Sequence, residues 1–189
     1  MSKPELEPQV LIGPGLGIVS KEAAANKFKI WKTIHLGMGF KNADGFRQLM
    51  KSRKMLISDR ANDILGKSAF KVAAEKTRVN LVIPSVGDLG FKDGGKLKDI
   101  YACAQDWKLG LCPSEVGPQL RLCYSNQPKG EWLYVGMNPI ANMFGDLEIF
   151  SVGRGSGGFW LDCSYGVSEN IWEAHCRFVL TIPDGQHMR

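Results

Sequence analysis

The sequence lacks the long apolar run that a transmembrane helix requires. Over its 189 residues, Lys, Asp, Glu or Asn interrupts every hydrophobic stretch well before about 18 consecutive apolar residues accumulate. The first residues contain Glu5 and Glu7 and no basic start followed by an apolar block, so no secretory signal is expected. These absences predict a cytoplasmic protein with no membrane partner.

Paired metal-ligand spacings are also missing. The chain has only three histidines, and neither Cys-x-x-Cys nor His-x₃-His occurs, although zinc sites usually show one of these pairs. The five cysteines are an odd number scattered singly along the chain: Cys103, Cys112, Cys123, Cys163 and Cys176. We therefore expect reduced thiols, no disulfide framework and no metal.

A phosphate-binding glycine motif is absent in any convincing form. No Gly-Lys-Ser/Thr follows the glycine-rich stretches, and Gly13 to Gly17 fails the same test. Gly153-x-Gly155-x-x-Gly158 has the dinucleotide spacing, but both of its flanks have strand patterns where a helix should follow. This segment is predicted to be a mobile glycine-rich hairpin loop, and no cofactor is expected.

The patterns that are present predict an α+β fold. Helices are expected mainly in the N-terminal half: one over Asp44 to Arg53 capped by Asn42, and one over Asp59 to Leu65 capped by Ser58. The clearest apolar stripe predicts a further helix between Asp93 and Gly110. From residue 131 onward, short apolar segments separated by turn residues predict a mainly antiparallel sheet formed by the C-terminal half. Residues 1–19 should form a flexible or extended arm, and residues 20–189 a single domain.

Basic residues are concentrated between Lys41 and Arg78. This segment contains ten Lys and Arg residues but only four Asp and Glu residues. Such clustering is typical of a surface that binds nucleic acid or another polyanion, for which Arg47, Lys51, Arg53 and Lys54 are the candidates. The alternative, a solvated helical surface with no partner, is favoured because the lysines are spread along the segment.

Cys163, His175 and Cys176 lie near the ends of adjacent predicted strands and are candidates for a thiol and imidazole pair. A nucleophilic cysteine and its histidine base need no fixed spacing, so the sequence leaves a Cys/His enzyme open. The favoured alternative is a set of buried structural thiols, because free cysteine is among the most buried residue types.

Aromatic residues crowd the second half of the chain. Most are expected in the core, but polar residues around one of them outline a ligand surface if the loops converge. The candidate residues for this surface are Arg154, Trp160, Asp162, Tyr165, Glu169 and Asn170.

Several phrases resemble a recurring set of uncharacterised bacterial proteins. They are Gly90 to Gly94, Gly110 to Pro113, Glu115 to Leu122 and Gly136 to Ile140, together with Trp172 and Arg177 to Val179. The resemblance implies a bacterial, cytoplasmic setting and brings no catalytic residue. With no assembled acid, base or phosphate-binding motif, the leading hypothesis is a non-enzymatic domain that binds a ligand or protein of unknown identity.

Overall fold

The structure, a computed structural model, describes residues 27–182. The predicted arm over residues 1–19 lies outside this range. The described part contains four helices: α1 (Ala43–Ser52), α2 (Asp59–Leu65), α3 (Leu97–Asp106) and α4 (Val116–Cys123).

The first two helices begin where their capping residues predict. The side chain of Asn42 accepts a hydrogen bond from the Asp44 backbone N–H at 3.0 Å, and the Ser58 hydroxyl accepts one from Ala61 N–H at 3.2 Å. Each bond satisfies an N–H group that has no partner inside the helix. Gly66 follows the last residue of α2, as predicted.

Ten strands form a curled mixed sheet and a small ribbon. The main path of the sheet runs β1-β3-β10-β5-β7-β8-β2, β6 pairs with β7, and β4 and β9 form the separate ribbon. The strands are β1 (Lys32–Leu36), β2 (Leu56–Ile57), β3 (Thr77–Val82), β4 (Gly95–Lys96), β5 (Trp132–Val135), β6 (Ile140–Ala141), β7 (Leu147–Gly155), β8 (Gly158–Tyr165), β9 (Ile171–Trp172) and β10 (Phe178–Ile182).

This arrangement confirms the α+β class but corrects two of its details. The sheet is mixed, because β10 pairs with β5 and β2 pairs with β8 in parallel. Strands β1, β2 and β3 come from the first half of the chain, whereas α3 and α4 begin after its midpoint. Short links make sequential neighbours antiparallel, but they cannot reveal that β10 inserts between β3 and β5.

The glycine-rich segment is also more regular than predicted. Strand β7 continues through Gly153 to Gly155, and only Ser156 and Gly157 separate it from β8. A side chain at Gly153 would overlap the ring of Trp132, which crosses this position from β5. Gly153 therefore provides space for a neighbouring ring rather than loop freedom.

Helices cover both faces of the sheet. The predicted apolar stripe of α3 is buried, and the Tyr101 ring contacts Phe178 of β10 with centroids 6.1 Å apart. On the opposite face, α4 lies so close to β7 that a Cβ at Gly117 would be 2.7 Å from the Phe150 side chain. The core thus extends on both sides of the central strands.

A fully buried carboxylate fastens α4 to the rest of the fold. Glu115, directly before α4, accepts hydrogen bonds from Gly37 N–H at 2.8 Å and from Ala73 N–H at 2.6 Å. The two amides lie after β1 and between α2 and β3. One side chain therefore joins three segments that are distant in sequence.

Candidate ligand-binding groove

A groove of about 390 Å³ runs along the second half of β8, where the segment containing β9 faces it. It brings together basic, acidic, thiol, imidazole and aromatic side chains. The lining residues are Arg60, Tyr134, Cys163, Ser164, Tyr165, Asn170, Ile171, Trp172, Glu173, His175 and Cys176.

One wall of the groove is a guanidinium held from behind by a buried carboxylate. Arg60, in the first turn of α2, donates from Nε to Glu148 Oε1 at 2.7 Å and from Nη2 to Glu148 Oε2. Glu148 is fully buried in β7 and also accepts a bond from the Asn142 amide at 3.2 Å. The hydrogen bonds to Glu148 raise the pKa of Arg60, which is therefore a fixed cation.

The outer side of the same guanidinium faces the groove. Its carbon lies 4.6 Å from the centroid of the Tyr165 ring, a stacking contact between cation and aromatic face. The side chain of Arg60 is 42% exposed, and its third nitrogen, Nη1, donates to no residue within the described range 27–182. Nη1 of Arg60 therefore remains available as a donor that no residue of the range 27–182 uses.

The facing wall is aromatic. The rings of Tyr134 and Trp172 meet edge to face with centroids 4.6 Å apart, and Trp172 also contacts Phe178 at 4.9 Å. These contacts anchor the short β9 strand on the main sheet. The groove consequently has an aromatic side opposite the cation.

The two thiols in the groove are held in their neutral form. Burial, followed by the charge of Glu148, raises the pKa of the Cys163 thiol. Burial also raises the pKa of Cys176, which contacts the Tyr134 side chain. A thiol nucleophile needs the opposite environment, one that stabilises the thiolate.

His175 is not joined to either thiol in the part of the chain that the structure describes. Its Nδ1 lies 3.2 Å from the Glu173 carboxylate, and both side chains are largely exposed. The candidates Cys163, His175 and Cys176 thus share one groove, but without a hydrogen bond between a thiol and the imidazole.

The predicted ligand surface is brought together only in part. Tyr165 and Asn170 line the groove, whereas the other four residues do not. Arg154 stacks on Phe159 at 4.9 Å, and Glu169 pairs with Lys96 and Lys98.

The last two residues of that set lie along β8 itself. Trp160 packs beside the β7–β8 turn near Gly157, and the Asp162 carboxylate accepts a bond from Cys163 N–H. Neither side chain lines the groove.

Sequence reasoning missed the pair that orients the groove. In the sequence, Arg60 is one of ten positive charges in the basic segment, and Glu148 lies 88 residues away from it. Nothing in the local pattern marks either residue. Trp172 had the aromatic character that could have pointed to the site, but its position opposite Arg60 depends on the sheet topology.

Two of the four candidate polyanion-binding residues make internal contacts, and two are exposed. Arg47 donates to Asp44 and Asn62, and Arg53 donates to the Leu122 carbonyl at 3.0 Å. These two candidates therefore serve internal contacts, while Lys51 and Lys54 are exposed. A separate cleft of about 430 Å³ between α1 and the residues after α2 is lined by four basic side chains: Lys41, Arg47, Lys67 and Lys71.

Within residues 27–182, no three His, Cys, Asp or Glu side chains are placed to hold a metal ion. Over the same range, every helix is too short or too polar to cross a membrane. All five cysteines are free thiols.

Comparison with known proteins gives no relative. No family model matches the chain, and no curated protein or solved structure is similar to it. This result is consistent with an uncharacterised family, while the bacterial source stays a prediction.

Proposed function

We propose that this chain is a non-enzymatic binding domain whose ligand occupies the groove along β8. The observation that supports this most directly is the Arg60 guanidinium, which a fully buried glutamate orients from behind while Nη1 has no partner among the described residues. An ion pair with one buried partner contributes little net stability because desolvation of Glu148 offsets the attraction, so we attribute its placement to presenting Arg60.

The two walls define the chemistry of the ligand. Nη1 of Arg60 requires an acceptor, and a carboxylate or phosphate oxygen is the strongest. Tyr134 and Trp172 opposite it favour an apolar or aromatic group. The proposed ligand therefore combines an anionic group with an apolar part.

The same geometry gives little support to a Cys/His enzyme. The thiol pKa values are raised, and His175 pairs with Glu173 rather than with a thiol.

We further propose a bacterial cytoplasmic setting, supported by the five free cysteines and by the resemblance in sequence.

A fragment screen tests the proposal. The labelled protein is titrated with a library of small aromatic carboxylates, and amide chemical shifts are recorded. We expect the perturbed amides to cluster at Ser164, Tyr165 and Asn170. Ser164→Trp, which fills the groove, should abolish the shifts, whereas Ser125→Trp, the same change at an exposed position elsewhere, should preserve them. Shifts that survive Ser164→Trp contradict the proposal.

Polyanion binding is the second candidate, supported by the cleft containing Lys41 and Lys71. A labelled single-stranded DNA should bind with an affinity that falls steeply with salt, because neutralised phosphates release counterions. Lys41→Glu with Lys71→Glu should weaken this binding more than Lys51→Glu with Lys54→Glu. A flat salt response contradicts this candidate.

A further inference from the structure

We infer that the ligand of the groove is an extended peptide that adds as a strand to the open second half of β8. This inference rests on the proposed function, because it places the peptide in the same groove. It is based on the direction of the β8 backbone groups, the end of the neighbouring strand and the side chains on either side.

The hairpin fixes which backbone groups of β8 point outward. Gly155 and Gly158 close a two-residue loop, so they form a hydrogen-bonded pair, and such pairs alternate along an antiparallel ladder. Cys163 and Tyr165 are then in non-hydrogen-bonded positions and direct their N–H and C=O groups away from β7. Leu161 is also in a non-hydrogen-bonded position with respect to β7. Its carbonyl points outward and accepts a hydrogen bond from Ser58 N–H at 3.0 Å.

The neighbouring strand covers only part of this edge. β2 pairs with Trp160 and Leu161, after which the chain turns into α2 at Asp59. Beyond this point, the Cys163 N–H is satisfied by the Asp162 carboxylate at 2.8 Å. The Cys163 carbonyl and both backbone groups of Tyr165 form no hydrogen bond with any residue of the described range. The Tyr165 groups lie on a residue that is 54% exposed and are open to a further strand, whereas Cys163 is buried.

The groove supplies contacts for alternate side chains of such a strand. Successive residues of an added peptide point to opposite faces of the sheet. One face presents Arg60 beside Tyr165, which is complementary to an acidic side chain. The other presents Tyr134 and Trp172, which favour an apolar side chain. The preferred peptide therefore has an acidic residue next to an apolar one.

The surroundings of the groove favour a macromolecular partner over a small molecule. Six exposed large apolar side chains come from this end of the sheet: Met143, Phe144, Leu147, Tyr165, Val167 and Ile171. Met143 and Phe144, 69% and 80% exposed, lie at a hairpin tip that Asn142 fixes by accepting bonds from Phe144 and Asp146 N–H. Several exposed apolar side chains at one end of a sheet favour contact with a protein partner.

Selection of displayed peptides tests the inference on the full chain. A library of short random peptides is selected against the protein, and enriched sequences are synthesised for affinity measurement. We expect enrichment of an acidic residue next to an apolar one. N-methylation of the peptide at a pairing position should weaken binding at least about tenfold, because it removes a backbone donor. Changing the acidic residue of the peptide to its amide should also weaken binding.

A matched pair of protein variants isolates the backbone of β8. Tyr165→Pro removes an outward N–H without affecting the β7 ladder, and Tyr165→Ala removes the same ring but keeps the N–H. We expect Tyr165→Pro to bind at least about tenfold more weakly than Tyr165→Ala. The N-methylated peptides provide the same test on the unaltered protein if the proline variant folds poorly.

The outcomes separate this inference from the proposed function. Peptides that bind in the groove but tolerate N-methylation at every position overturn strand addition and leave groove binding intact. An empty selection also overturns it, as does a dimer that Tyr165→Pro dissociates, because the edge would then pair with a second copy. Peptides that bind Ser164→Trp as well as the unaltered protein contradict both proposals.

Discussion

Within residues 27–182 two glutamates are fully buried, and their partners differ. Glu115 accepts two backbone N–H groups, from Gly37 and Ala73, and its contacts stay within the fold. Glu148 binds Arg60, whose other side faces the groove. Burial of a carboxylate therefore does not by itself mark a functional site. Glu148 differs because its partner, Arg60, is partly exposed and keeps Nη1 available as a hydrogen-bond donor.

The largest expected effect tests the asymmetry of the Arg60–Glu148 pair. Arg60→Ala leaves a fully buried carboxylate without its cation and should lower the free energy of unfolding by about 3–5 kcal/mol. Glu148→Ala should cost less, about 1–3 kcal/mol, because the partly exposed Arg60 can turn to water. Urea unfolding of both variants measures the difference. Equal losses in the free energy of unfolding would show that Arg60, like Glu148, cannot turn to water when its partner is removed.

The second prediction concerns the structural glutamate. Glu115→Ala removes the acceptor of two amides and should lower the free energy of unfolding by about 2–4 kcal/mol. Glu115→Gln keeps the shape and one carbonyl oxygen, so it should cost less. Neither change should alter fragment binding in the groove. A loss of groove binding in folded Glu115→Gln protein would remove the distinction between the two glutamates.

A smaller effect is expected at the groove thiols. At neutral pH, iodoacetamide should modify buried Cys163 at least about tenfold more slowly than exposed Cys123, because burial shields the Cys163 thiol from the reagent, while the pKa of both thiols is raised by burial. The rate at Cys163 should rise with pH as the thiolate fraction grows. His175→Ala should leave this rate unchanged. Peptide mapping by mass spectrometry gives the rates, and fastest labelling at Cys163 or Cys176 would favour the Cys/His enzyme.

The smallest effect is expected at an exposed carboxylate, the counterpart of the two buried ones. Hydrogen bonds from Lys98 and Lys96 lower the pKa of Glu169 to about 2. Because this folded-state pKa is depressed, any stability it confers is present above the ordinary carboxyl range and is lost as the pH falls toward 2. Solvent screens the pair, so Glu169→Gln should leave the thermal midpoint unchanged at neutral pH. A clear decrease in the thermal midpoint would show that the exposure of a carboxylate does not indicate how much it contributes to stability.

Local patterns predicted the parts of the fold that depend on neighbours in sequence. Asn42 and Ser58 marked the starts of α1 and α2, because a capping side chain bonds an amide two or three residues away. The apolar stripe marked α3 for a similar reason. The parallel pairing of β10 with β5 could not be found in this way, since its partners lie more than forty residues apart in the chain.

The groove shows the same division. The sequence placed Cys163, His175 and Cys176 near strand ends and assigned Tyr165 and Asn170 to a separate ligand surface, whereas the structure places all five along one groove.

The sequence by itself determined the α+β class, the starts of α1 and α2 and the absence of familiar cofactor motifs, because these depend on composition and local spacing. Only the tertiary structure decided that Glu148 lies behind Arg60 and that β2 stops short of Cys163. Those features arise from contacts between segments far apart in the chain. Such contacts depend on how the sheet curls and which strand occupies its edge, and no local pattern encodes either.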